Sequence, residues 1–399
     1  MTESPQPMAQ PSPSSQPVHV RKAGLPAFFE LAFRPLYLAG AAWAAIAIGI
    51  WIFAPQWLTA PLGGVAWHAH EMLWGFVATI AVAFLMTAGA TWTGINPLHG
   101  ATLAVACLLW LIARTGFLIA ADSAFAIASF AEIAFFLLAA IAMMRAVHAA
   151  RNARNYAVPW LIVGLAGADV FYLAAVRDGD FTSLMRRFDI GLTVMAMIAL
   201  LIARRVIPFF AMRAVPGLKL PMQMRAGQAQ LVMCAAAVIG LAADKDLLAG
   251  AGLLLAGGLA LWQVVRWRPL AVRAHPLLWI LYTGYTALAL GLLLAGGGAA
   301  GLAVPPALSV HVIALAGFSV LIIGMITRTA LGHLGLPLQA GAYLRLVYAL
   351  MLAAVVLRLA AFATPSSSQT MLHLSACAWI ITFGLYLWRF APLMIRPRQ

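Results

Sequence analysis

The sequence predicts an all-α polytopic membrane protein of about twelve transmembrane helices with both termini in the cytoplasm. Three observations carry that expectation. The 399 residues are 64% hydrophobic and only 9% charged, with a mean hydropathy of +0.95, whereas soluble domains are about 25% charged. The apolar residues come in long blocks that match the roughly 20 residues a helix needs to cross a bilayer. The basic residues fall between those blocks and favour one side of the membrane.

Taken in order, residues 1–22 are rich in Pro, Ser and Gln and read as a disordered cytoplasmic tail. They lack the charged region, apolar core and small-residue cleavage site of a signal peptide, so the first span directs insertion. That span, 36–56, follows Arg21, Lys22 and Arg34. The second, 71–91, is entered through Trp67-His68-Ala69-His70, and the third and fourth are 101–120 and 123–144. Arg145, Arg151 and Arg154 precede 157–176, and Arg177, Arg186 and Arg187 precede 189–209. From Arg204 to Arg225 runs the longest and most basic connection, with Pro208, Pro216, Gly217 and Pro221. A single domain, 23–399, is expected, with a division into two six-helix halves near 211–227. Only Asp244-Lys245-Asp246 separates 228–244 from 247–265. The remaining spans are 276–296, 306–327, 343–363 and 371–391.

With the N-terminus inside, nineteen Lys and Arg residues fall in inner segments and four, Arg177, Arg186, Arg187 and Lys245, in outer loops. Both termini are therefore expected in the cytoplasm. The net charge of +14 is accounted for by this asymmetry, so nucleic acid is not an expected partner and the lipid bilayer is. Cys107, Cys234 and Cys377 lie far apart without CxxC spacing and read as small buried hydrophobes.

Ionisable side chains inside a span mark function by default. On this topology His68, His70, His311 and His373 share the outer leaflet, while His99, His148, His275 and His333 fall at cytoplasmic helix ends. Imidazole is the commonest side-chain ligand for transition metals and haem iron. His68 and His70 are two residues apart, which on a helix turns them about 160° from each other, so they are not expected to chelate one ion. Interfacial hydrogen bonding is the competing role for each histidine. Arg114, Arg205 and Arg328 either snorkel or pair with an anion such as a propionate. His333, between Gly332 and Gly335, suits a helix C-terminus and a ligand equally. The membrane carboxylates are Glu71, Glu132, Asp169 and Asp189, too few to read as a proton- or sodium-coupled pump. Tyr282 and Tyr285 need buried partners for their hydroxyls.

Several strings together resemble the NnrS family of haem- and copper-containing bacterial membrane proteins. They are Phe33-Arg34-Pro35-Leu36, Trp67-His68-Ala69-His70-Glu71-Met72 with Gly75-Phe76, Leu85 to Gly94, Trp110 to Arg114, Ala203 to Phe210, Pro276 to Tyr285, and His311 through His333 with Pro337-Leu338. The resemblance spans nearly the whole chain from Phe33. It implies twelve spans in the bacterial inner membrane, haem b and copper, and nitric oxide as the small-molecule ligand in denitrification or nitrosative-stress resistance. It also implies a membrane electron donor if the protein is a haem-copper oxidoreductase.

Carried over residue by residue, the resemblance points to His68, His70, Glu71, His311, Arg328 and His333, with Arg34, Trp92, Arg114 and Arg205 behind them. A metal is expected at His68, His70, His311 and Glu71. The chain departs from the pattern at Tyr282, where relatives often carry His, and at Leu334 and Leu336, where they read Gly-His-Thr-Gly-Arg; the copper expectation suffers most. A cofactor-free transporter and a non-catalytic protein that sequesters nitric oxide or metal are the alternative classes. Because about 20 residues separate His311 from His333, one site uses the outer set and His333 requires another.

Overall fold

A computed structural model describes residues 25–396; the expected N-terminal tail and Arg398 lie outside the described residues. Every extended element among them is helical. Eleven helices are long and apolar enough to cross a membrane. We label the helices α1 (Phe33–Phe53), α2 (Gly64–Thr93), α3 (Gly100–Gly116), α4 (Asp122–Ala149), α5 (Ala157–Ala175), α6 (Phe181–Ala214), α7 (Met224–Ala242), α8 (Asp246–Arg266), α9 (Pro276–Ala299), α10 (Pro306–His333), α11 (Ala342–Ala363) and α12 (Ser368–Met394). The one outside the eleven is α3, an apolar helix of 17 residues.

Several helices run longer than the sequence expectation; α6, for one, begins at Phe181, which places Arg186 and Arg187 in a helix and not in the expected outer loop, and two further departures bear on the site. Helix α2 starts at Gly64, so His68 and His70 stand within its first two turns and not before it. Helix α6 continues through Pro208 to Ala214, which moves Arg204 and Arg205 out of the expected loop and into a helix. Proline removes only one backbone donor, and in a packed membrane helix that loss is tolerated. The connection to α7 shrinks to residues 215–223. The cysteines also divide: Cys234 is buried, Cys107 half-buried and Cys377 exposed on the outside of α12, a surface that faces lipid in a bilayer.

Helices α2, α6 and α10 form the centre. Their spans are 83%, 72% and 72% buried, and each touches the other two. Neighbours wrap around them in chain order, and α12 returns to pack on α1. In α2 the stretch Glu71–Ala78 is a π-helix, and in α10 the stretch Val312–Ser319 is another of the same length. Each follows directly on a histidine, His70 or His311. A π turn frees backbone carbonyls from the regular ladder and is frequent at functional sites. Here hydroxyls take some of them: Thr79 Oγ1 donates to the carbonyls of Trp74 and Gly75 at 3.2 and 2.9 Å, and Ser319 Oγ to that of Ala314 at 2.9 Å.

Helix α9 lies close against the widened part of α10 because it offers no side chain there. A Cβ on Gly291 would meet the backbone nitrogen of Ile313 at 2.8 Å, and one on Gly284 that of Leu321 at 2.7 Å. Small residues at such crossings are the usual basis of close helix packing in membranes. Gly291→Val is therefore expected to destabilise the bundle by about 1–3 kcal/mol through overpacking. Gly258→Val, with nothing within 4 Å of its Cβ position, is expected to be near neutral. Thermal melts of the two variants in detergent check this, and equal melting temperatures would refute it.

Candidate functional site

The alternation of basic connections with ones poor in Lys and Arg gives the bundle an arginine-rich end and an arginine-poor end. The first turns of α2 and α10 start from the arginine-poor end, and two clusters form there. They share helix α2 because His68 and His70 point apart, as the helical spacing requires.

His68 turns toward α1, α10 and α11. Its ring stacks on Trp51 with centroids 4.9 Å apart and planes 9° from parallel. His311 and Arg358 lie within Coulombic reach of it. The Nδ1 of His68 is buried without a hydrogen-bond partner, which is uncommon for a buried polar atom. His311 Nδ1 donates to the carbonyl of Ala307 at 2.6 Å, which leaves its Nε2 lone pair outward. Phe362 meets the His311 ring edge-on at 5.7 Å, and the Arg358 guanidinium lies 4.4 Å over the same phenyl ring. Two imidazoles and one guanidinium thus converge from three helices.

His70 turns the other way, toward α3, α4 and α5, and is fully buried. Its Nδ1 is 3.0 Å from Glu71 Oε1, while Nε2 is 3.0 Å from Asp169 Oδ1 and 3.3 Å from Glu132 Oε2. Arg114 bridges Glu71 and Glu132. The indole N–H of Trp43 donates to Glu71 Oε2 at 2.6 Å. Arg114 has room because Gly75 lacks a side chain: a Cβ there would stand 2.2 Å from its Nη1. Aromatic rings close the cluster, with Trp74 and Tyr172 stacked near His70 and Phe117 edge-on. One donor atom each from His70, Glu132 and Asp169 lies within 4.8 Å of the others, so this group has the geometry to hold a metal ion.

Glu132 and Asp169 were visible in the sequence as rare membrane carboxylates, yet nothing local joined them to His70. The remaining expected residues sit at the arginine-rich end. The ring of His333 stacks on Phe33 at 5.2 Å, the guanidinium of Arg328 lies 4.0 Å over Phe210, and Arg205 donates to Asn155 Oδ1 at 2.6 Å and to the Arg154 carbonyl at 3.0 Å. Tyr282 donates to the Trp267 carbonyl at 3.0 Å and Tyr285 to Gln263 Oε1 at 2.5 Å. The Tyr282 departure therefore bears on this end and not on the outer histidines.

Between the two clusters and the arginine-rich end lies a partly open, mainly apolar pocket of about 80 Å³, lined by residues of α2, α6, α9 and α10 and by Tyr37 of α1. Val77 and Phe318, which line it, belong to the two π segments. Each is seven residues beyond its histidine, about 10 Å at 1.5 Å per residue. A pocket with mainly apolar walls suits small uncharged molecules better than ions.

The family described as NnrS protein matches residues 27–398, and among curated proteins none matches the chain. With nearly its whole length covered, the chain belongs to the NnrS family.

Proposed function

We propose that this NnrS-family chain is a multi-pass protein of the bacterial inner membrane that binds nitric oxide at a haem b held by His68 and His311, and detoxifies or reduces it. Both termini lie in the cytoplasm on this reading, because the inner segments carry the excess of Lys and Arg, and α3 serves as the twelfth span. The observation that carries the reading is the imidazole pair: His68 Nδ1 is buried with no partner, and His311, within Coulombic reach of it, has its Nδ1 taken by the Ala307 carbonyl and its Nε2 left over. Neutral imidazole nitrogens are the donors haem iron takes. Arg358 offers a cation of the kind that pairs with a propionate.

When bound, the haem supplies the redox and ligand-binding chemistry that side chains lack. The chain's part is to fix the two rings, through the Trp51 stack and the Ala307 carbonyl, and to keep water away from them. Nitric oxide is small, uncharged and soluble in the bilayer, and the apolar pocket beyond the π segments suits it. Copper has weaker support among the described residues: the donors grouped around His70 are carboxylates, which are harder than copper prefers, and His373 stacks on Phe53 at 5.5 Å. Reduction needs a membrane electron donor; sequestration does not.

The expected outcome is a b-type optical spectrum for protein purified after expression with ample haem, with a Soret band that shifts when nitric oxide is added anaerobically. A preparation without haem under those conditions would overturn the reading. Continued consumption of nitric oxide with a reductant separates catalysis from sequestration.

A further inference from the structure

Helix α2 sends His70 into a second cluster that the haem reading does not use. Three of the four carboxylates within the spans, Glu71, Glu132 and Asp169, meet there with Arg114, and all five side chains are at most 2% exposed. Arg114 offsets one carboxylate, which leaves two negative charges beside His70. A protonated His70 would offset one more. The last charge would remain buried, with Asp169 Oδ2 and Glu132 Oε2 lacking hydrogen-bond partners. Uncompensated charge at that depth is strongly unfavourable.

The hydrogen bonding around the ring shows what would neutralise it. Glu71 is held from its far side by Trp43 and Arg114, and its Oε1 faces His70 Nδ1 at 3.0 Å. A carboxylate so placed holds the proton on Nδ1 and turns the Nε2 lone pair forward. Metal-ligating histidines are commonly oriented by a carboxylate in this way. Forward of Nε2 lie Asp169 Oδ1 and Glu132 Oε2, at 3.0 and 3.3 Å. A lone pair facing two carboxylate oxygens is repulsive unless a proton or a metal cation stands between them, and one proton there still leaves one negative charge buried.

We propose that His70 Nε2, Glu132 and Asp169 form a binding site for one divalent first-row cation of the manganese, iron or zinc class, with Glu71 orienting the histidine. A divalent ion with a neutral imidazole brings the cluster to zero charge. One nitrogen and two carboxylates form a hard donor set, which suits these ions better than the soft set Cu(I) prefers. The site stands apart from the His68 and His311 pair and does not depend on haem.

The test uses the full-length protein in detergent, stripped with EDTA and titrated with Mn(II). Free Mn(II) is followed by its electron paramagnetic resonance signal, and bound metal by elemental analysis. About one Mn(II) per chain is expected, displaced by Zn(II). Asp169→Asn and Glu132→Gln are each expected to weaken binding at least about 100-fold, and Glu71→Gln about 10–100-fold, the range for a supporting carboxylate. Size-exclusion profiles exclude misfolded variants. His68→Ala is expected to bind Mn(II) as wild type does, which separates this result from any failure of the haem reading. Wild-type protein that takes up neither Mn(II) nor Zn(II) in stoichiometric amount overturns the proposal, as does undiminished binding by a folded Asp169→Asn variant.

Discussion

Replacing Arg114 with methionine is expected to cost the folded protein about 3–5 kcal/mol, the loss seen when one partner of a buried ion pair is removed. Methionine fills much of the space but leaves Glu71 and Glu132 facing each other across a dry interior, with Asp169 and His70 alongside. Arg114 also lies over the rings of Phe117 and Trp110, at 5.5 and 6.0 Å, so its loss opens packing as well as charge. Domains are stable by only about 5–15 kcal/mol, and most of the expressed protein should therefore be lost from the monodisperse fraction. The triple change Arg114→Met, Glu71→Gln, Glu132→Gln removes the excess charge together with its counter-charge. It should recover much of the yield, since buried pairs replaced as a unit are often close to neutral. Should the single variant melt within a few degrees of wild type, the cluster is not dry or not charged, and the charge argument for a cation at His70 falls with it.

Much of the fold could be read from composition and block length. The apolar blocks coincide with the helices because the bilayer imposes their length, whatever the packing partners are. The opposite directions of His68 and His70 could also be read, since helical spacing alone determines them. What could not be read is convergence. Glu132 and Asp169 are 62 and 99 residues from His70 in the chain, and each looked like an isolated carboxylate until α4 and α5 brought them to α2. The two π segments were likewise invisible. Their residues carry no local signal for a π turn, and the one in α10 lies against Gly284 and Gly291 of a neighbouring helix, which leave room for it. Pro208 misled for the complementary reason: a proline ends helices in water, but in a packed membrane bundle the helix runs on through it.

The haem assignment makes its largest prediction at His68 and His311. His68→Ala and His311→Ala are each expected to yield folded protein with little or no b-type absorbance, and added imidazole should restore part of it by entering the space left by the ring. Ligation requires that rescue, whereas a structural role does not, because free imidazole cannot replace the Trp51 stack or the Ala307 bond as a covalently held ring does. His333→Ala should retain the full spectrum. About 22 residues of α10 separate it from His311, roughly 33 Å of helix, and its ring is stacked on Phe33 at the far end of the bundle. Arg358→Gln should retain haem but hold it less tightly, since it removes a cation and not a ligand. If His68→Ala and His311→Ala both keep a wild-type spectrum while His333→Ala loses it, haem belongs at the arginine-rich end beside Arg328. The partnerless nitrogen of His68 would then need another occupant, and the small apolar cavity would lie between an empty outer pair and an inner haem.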